Sequence, residues 1–492
     1  MSTAGTRWGG GPGRMRERLT FGHGTHAAVP TRAAAVAAVI AHEPQRVQLS
    51  RLETWDWGWG GLLIFSILLF FRPQDTIKAL GAAHVSDMAA IVGLIAMALL
   101  NTTRREPLTR LTPELVGVLA LGAVIIGTAP FSFWPGGSIH VFTDMFMQVA
   151  LIYLLMVNTL TSPRRIERIC WVIVLAFGYI SARVIFDYVR GVHLVEGNRA
   201  AGPVGGFFEN PNDLALNLAA FLPLTMMYVK RPGPLFKRLL CTGICLLMMV
   251  ALVFTKSRGG FLGFLAMMAV FLLVSRSLTP GMLVALVLSA MLIVPVLPQA
   301  FWNRMASITV ADEDPTGSRE ERKVLMQQAW QIFLDNPIIG IGAGQFQNYG
   351  DPGATKHWRV THNALLQVAA ELGVAGLIPF VFLIVRGFRA AAWTRSRLSW
   401  IYRRRARKKG QPEPDPEDGL DENERTFLQT HAAAMVACMT GWFVCALFGS
   451  VAFNWTFYYL LALSATARDV VRARARAYAK AKAAARQEAA VA

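Results

Sequence analysis

The sequence predicts an all-α polytopic membrane protein with about 12 transmembrane helices, and three observations carry that prediction. The 492 residues are 54% hydrophobic and only 16% charged, whereas a soluble chain carries about a quarter charged residues. Apolar runs of about 17–25 residues recur from Trp57 to Leu463 without strand alternation, so helices and not a barrel satisfy the backbone in lipid. Basic residues fall between alternate runs, as the positive-inside rule requires.

In chain order the spans are predicted at 57–71, 86–100, 114–130, 139–158, 168–187, 212–229, 238–255, 259–275, 279–299, 362–385, 430–448 and 451–467. The first is short enough to be tilted or partly interfacial. Residues 1–55, rich in Gly, Ala and Arg, read as a disordered cytoplasmic tail and not as a cleavable signal peptide. Residues 56–299 hold spans one to nine, 300–361 form an external loop, and 362–467 hold the last three spans around a flexible insert at 387–428. The tail 468–492, rich in Ala, Arg and Lys, reads as a surface helix on anionic lipid.

Positive charge fixes the orientation. Arg104, Arg105 and Arg110 follow the second span; Arg164, Arg165 and Arg168 follow the fourth. Lys230, Arg231, Lys237 and Arg238 follow the sixth, Arg276 the eighth, and a basic stretch beginning at Arg386 the tenth. Both termini are therefore expected in the cytoplasm of a bacterial inner membrane. The net charge of +18 is accounted for by these loops and tails resting on lipid headgroups, with no nucleic-acid partner implied. Cys170, Cys241, Cys245, Cys438 and Cys445 all sit in or beside apolar runs and read as buried small hydrophobes.

The opposite face then receives 72–85, 131–138, 188–211, the 256–258 turn, 300–361 and a turn near Ser450. Arg199, Arg258, Arg319 and His362, far apart in sequence, meet there. Within the large loop, Ser318 and Glu321 form a capping-box pattern. Val324, Leu325, Ala329, Ile332 and Phe333 then recur at helical spacing, which predicts an amphipathic surface helix ending before Asn336-Pro337.

Each polar residue has a bland reading beside the functional one. Arg258, in Thr255-Lys256-Ser257-Arg258-Gly259-Gly260, is a snorkelling cation or an anion ligand at a sharp turn. Arg319 follows the Ser318 cap, where free amides and the helix dipole attract anions, yet it could pair with Glu320 or Glu321. Arg199 lies in a glycine-rich loop ahead of Asn210, read as an N-cap, and Pro211, read as the first helical residue. His362 at the mouth of a span is an interfacial polar residue or a base titrating near neutrality. Glu371, nine residues on, is about half a turn out of phase with it. Arg183 and Asp187 are spaced as an intrahelical pair, and with Asp144 read as packing or supporting groups. The Gly340–Gly344 run has no strand–turn–helix around it, so a dinucleotide loop is rejected.

These segments resemble the O-antigen ligase and polymerase superfamily of bacterial lipid-linked glycan transferases over roughly residues 190–380. The resemblance is carried by Asn198-Arg199 to Asn212, Ser257-Arg258-Gly259-Gly260, Ser318-Arg319 with Trp330, Asn336-Pro337, the Gly340–Gly344 run, and His362-Asn363 to Glu371-Leu372-Gly373. It implies an all-helical membrane glycosyltransferase that is inverting and metal-independent, with no cofactor. Such an enzyme moves a glycan from an undecaprenyl diphosphate carrier to an acceptor hydroxyl of lipid A core, a glycan or a protein at the periplasmic face. It also implies that Arg199, Arg258 and Arg319 hold the diphosphate and that His362 positions or deprotonates the acceptor. Asn212, Ser257, Asn363 and Glu371 would support them. Ligase ranks first, with repeat-unit polymerase and protein O-oligosaccharyltransferase behind it. A transporter or flippase is the alternative of another class, although no paired repeat and no midplane charge favours it.

Overall fold

The computed structural model describes residues 56–73, 85–103, 105, 107–195, 198–202, 208–275, 318–349, 360–399 and 419–491. The predicted span 279–299, the tail 1–55 and the basic run 403–409 lie outside the described residues. Described helices are α1 (Trp57–Phe71), α2 (Val85–Thr103), α3 (Pro113–Thr128), α4 (Pro135–Val141), α5 (Met147–Thr159), α6 (Pro163–Val189), α7 (Pro211–Lys230), α8 (Leu235–Thr255) and α9 (Arg258–Ser275). They continue with α10 (Ser318–Asp335), α11 (Ala364–Leu398), α12 (Glu422–Ala446) and α13 (Trp455–Val491). The described sheet is a single antiparallel pair, β1 (Leu194–Val195) with β2 (Arg199–Ala200). Among the described residues, seven helical stretches are long and apolar enough to cross a membrane. The molecule is thus a polytopic all-α membrane protein.

Local sequence explains where helices start. Thr112, Ser162 and Asn210 each sit in extended backbone and accept a first-turn amide, with proline directly after each. Asp421 and Glu424 form a reciprocal capping box for α12. A π-helical turn, Phe142–Phe146, joins α4 to α5 and carries Asp144, which pairs with His140 at 3.1 Å. The core is aromatic at its centre: Phe70 meets Phe177, Phe221, Trp455 and Tyr459 within ring-contact distance. All five cysteines are buried.

Several charged and loop contacts fall at two ends of the bundle, joining residues that charge bias assigns to one face. At the end predicted to be cytoplasmic, Arg165 pairs with Asp56 and Arg231 with Glu167. Arg395 donates to the Val274 carbonyl, and Arg474 pairs with Glu424. Arg386 and Arg468 converge on the fully buried Glu114, so α3, α11 and α13 are tied together by a desolvated carboxylate with two cationic partners. At the other end, Phe133 N donates to Ile341 O, Arg199 bonds the Thr255 carbonyl, and Thr361 and His362 bond Ser450.

Two charged segments are helical where the structure describes them. The insert expected at 387–428 is helical at both edges, because α11 runs to Leu398 and α12 begins at Glu422. The tail, expected as a surface helix, is helical and runs on from α13 without a break to Val491. Its Ala-, Arg- and Lys-rich sequence is strongly helix-forming, and contacts with neighbouring elements hold its first turns. Arg472 stacks on Trp393, while Arg468 is locked to Glu114.

Candidate functional site

The site is built around the turn between α8 and α9. Lys256 takes a left-handed conformation (φ 48°) to reverse the chain, and Ser257 then caps α9 by accepting the Gly260 amide at 3.2 Å. Arg258 is therefore the first residue of α9, beside amides that the helix itself leaves unbonded. Behind the turn, Arg199 is almost fully buried (4% exposed); its Nε donates to Thr255 O at 3.0 Å and its Nη2 to Asn212 Oδ1 at 2.7 Å. Ser257 Oγ donates to the same Asn212 oxygen at 2.9 Å. Arg199, Asn212 and Ser257 are thereby one hydrogen-bonded cluster, and Arg258 follows Ser257 in the chain.

In front of the turn lies a cleft of about 770 Å³ between α9, α10 and the start of α11. Arg258, Arg322 and Lys323 bring cations to it; Leu262, Met326, Trp330, Leu366 and Phe448 give it apolar walls. Arg199 does not line it. The backbone places Arg319 on the first turn of α10, while its side chain and the Ser318 cap lie outside the described residues. Arg322 and Lys323 were legible only as the polar side of an amphipathic helix. Their register with Trp330 along α10 was the signal that could have placed them in a site.

His362 is half-buried and also left-handed, with φ 51°. Its backbone amide donates to Ser450 Oγ at 2.9 Å, and Thr361 Oγ1 shares that hydroxyl at 2.8 Å. The next residue, Asn363, is the N-cap of α11 and accepts from Leu365 and Leu366. Instead of titrating near neutrality, the imidazole is pushed down to about 4, first by burial and then by the nearby Arg322 cation. It is neutral at physiological pH, as a proton acceptor must be. Non-glycine residues with positive φ are costly, and three of them, Asn198, Lys256 and His362, sit at or immediately before candidate segments.

Glu371 serves a different structure. Its carboxylate accepts the Gly344 amide at 2.8 Å, and it is buried at 3% exposure. α11 is broken at Gly373 (φ 59°, ψ −158°), and the loop after α10 fills the break. Ile341 N and Gly342 N donate to Ala370 O and Glu371 O, while Val374 N and Ala375 N donate to Pro337 O and Ile338 O. Backbone groups freed inside a membrane helix are thus satisfied by protein. A Cβ at Gly340 would stand 2.3 Å from the Glu371 carbonyl carbon, and one at Gly373 2.4 Å from that of Ile338. Only glycine permits this approach. Leu325, Ala329 and Ile332 of α10 pack on the same unit with Ile341, Phe346 and Ala370, so α10 docks on protein as well as exposing Val324, Trp330 and Leu334. Elsewhere, Asp187 pairs with Arg183 (3.8 Å) and His193 (3.0 Å). Among the described residues, no three His, Cys, Asp or Glu side chains gather as a metal site.

Fold and site define a multi-pass helical membrane protein with a cationic, apolar-walled cleft at one end of the bundle. Comparison with known proteins agrees: residues 243–381 match the family described as O-antigen ligase, a segment that includes Arg258, Arg319, His362 and Glu371. A teichuronic acid biosynthesis protein, TuaE of Bacillus subtilis (strain 168), is 26% identical over 251 residues, 46% of this chain and 50% of that protein. The chain thus spans about half the length of this curated relative. Together these matches support a likeness to the O-antigen ligase superfamily.

Proposed function

We propose that this chain transfers a glycan from undecaprenyl diphosphate to an acceptor hydroxyl at the periplasmic face of the inner membrane, as an O-antigen ligase does. The observation that carries this reading is the cleft, where cations stand at the end of apolar walls. An amphiphile with an anionic head and an isoprenoid tail has the complementary pattern. A glycosyl diphosphate already has a good leaving group, so the enzyme's task is to neutralise the charge that develops on it. Forked guanidinium donors do this in a low-dielectric site. Arg258 and Arg319 would hold the diphosphate directly. Arg199, bonded to Thr255 and Asn212, would act through the turn that carries Arg258.

His362 would take the acceptor proton as the acceptor oxygen attacks the anomeric carbon and the diphosphate leaves. One direct displacement inverts that carbon, and with side-chain cations serving the leaving group, the reaction would need no metal. Asn212 and Ser257 would fix the turn, Asn363 the start of α11, and Glu371 the loop packed beneath α10. A repeat-unit polymerase is the second reading, favoured by a relative whose printed role is teichuronic acid biosynthesis.

The twelve-span, termini-inside arrangement is testable before any chemistry. In a cysteine-free background, Val192→Cys and Gln347→Cys should react with a membrane-impermeant thiol reagent in spheroplasts, while Thr161→Cys and Gly233→Cys should not. The reverse pattern would turn the cleft to the cytoplasm and sink the periplasmic reading. The chemistry itself is tested by following labelled glycan from lipid-linked donor to acceptor with purified protein.

A further inference from the structure

The turn between α12 and α13, residues 447–454, lies outside the matched segment 243–381, yet it touches both ends of the site. Towards α9, Phe448 lines the cleft, and a Cβ added to Gly259 would stand 2.9 Å from Phe448 Cβ, so the turn packs against the residue next to Arg258. A Cβ at Gly263 would stand 2.2 Å from Cys445 Sγ. Glycines four apart thus let the start of α9 sit closely on the end of α12. Towards α11, Ser450 Oγ accepts the His362 amide at 2.9 Å and lies 2.8 Å from Thr361 Oγ1. Because Thr361 Oγ1 donates to Asn363 O at 3.2 Å, the Ser450 hydroxyl is left as the donor to Thr361. One hydroxyl thereby donates once and accepts once to hold the left-handed backbone of His362. The turn is itself anchored: Val451, Ala452, Phe453 and Asn454 are buried, and Ala452 N donates to Gln367 Oε1 of α11 at 3.2 Å.

Phe448 and Ser450 are two residues apart, so one packed turn links the neighbour of Arg258 to the segment that carries the base. A direct displacement needs that link to be fixed, because the acceptor oxygen and the leaving diphosphate stand on opposite sides of the anomeric carbon. Resting on the transfer reading above, we propose that the α12–α13 turn sets the distance between the diphosphate end of the site and His362, with Ser450 as the positioning residue. Ser450 acts through the backbone of residue 362 and not on substrate.

The test compares full-length variants in lipid nanodiscs by glycan transfer from an undecaprenyl-diphosphate-linked donor, by binding of undecaprenyl diphosphate, and by thermal unfolding. Ser450→Ala should lower kcat about 10²-fold, the loss that a misplacement of about 1 Å brings, and leave undecaprenyl diphosphate binding within about twofold of wild type. Ser450→Thr, which keeps the hydroxyl, should recover most of kcat. A group that only stabilised the fold would lower binding, unfolding temperature and transfer together. If Ser450→Ala kept near-normal kcat while His362→Ala lost transfer, the positioning role would be wrong and the transfer reading would stand. If His362→Ala transferred normally, the base assignment would fall and the inference with it. Parallel loss of undecaprenyl diphosphate binding in Ser450→Ala, or no recovery in Ser450→Thr, would assign Ser450 a packing role and overturn the proposal.

Discussion

Arg258→Ala is expected to lower glycan transfer by about 10²–10³-fold, the loss seen when one preorganised donor to a developing oxyanion is removed. The size follows from where the residue stands. Ser257 caps α9, so Arg258 is fixed in the first turn, and its guanidinium adds to amides already directed at that end of the helix. Leu262, Met326, Trp330, Leu366 and Phe448 give the cleft apolar walls, and charge interactions strengthen beside low-dielectric surface. Arg258→Lys should restore little if forked donation is what counts. The check is single-turnover transfer by purified variants, with thermal unfolding measured alongside. Near-normal transfer by a well-folded Arg258→Ala protein would remove Arg258 from the mechanism.

His362→Ala is expected to cost about 10²–10⁴-fold in transfer, the range for a positioned general base, with donor binding preserved. The loop should survive the change, because Ser450 accepts the backbone amide of residue 362 and not its ring. His362→Gln keeps polarity without an available proton acceptor of similar basicity, and should also fail. The pH dependence has a definite sign. Burial and Arg322 hold the free enzyme's imidazole down at about 4, so the acid limb of kcat/KM should lie near there. Activity through this base should stay level from about pH 5.5 to neutrality and fall as protonation sets in. An acid limb near 6.5, the ordinary histidine value, would show that His362 is not the group being titrated.

Much of the fold was legible because hydropathy and charge bias are summed over whole segments. The start of α7 at Asn210-Pro211 and the end of α10 before Asn336-Pro337 also followed from local capping chemistry. The shared face of Arg199, Arg258 and His362 was expected from the count of spans between them, one of which, 279–299, lies outside the described residues. What escaped were facts of tertiary packing. Nothing in the spacing of Glu371 and Gly344 announces that one accepts the other's amide across a broken helix. Arg199 looked like a cation open to a ligand, but its Nε and Nη2 donate to a carbonyl and an amide oxygen behind the turn. Glu114, Arg386 and Arg468 lie at or beside the ends of predicted spans, and only the packing of three helices brings them together. Arg322 was hidden by its neighbours, because a polar helix face reads as solvated until a second helix closes over it.

The most direct test of the central claim is transfer by the purified full-length protein in nanodiscs. The protein would be given an undecaprenyl-diphosphate-linked glycan and a hydroxyl acceptor, and the product examined by mass spectrometry and anomeric NMR. The account predicts a new glycosidic bond of inverted configuration, formed equally well in EDTA and lost in both Arg258→Ala and His362→Ala. Movement of the intact donor across the bilayer with no new bond, or transfer indifferent to both substitutions, would contradict it.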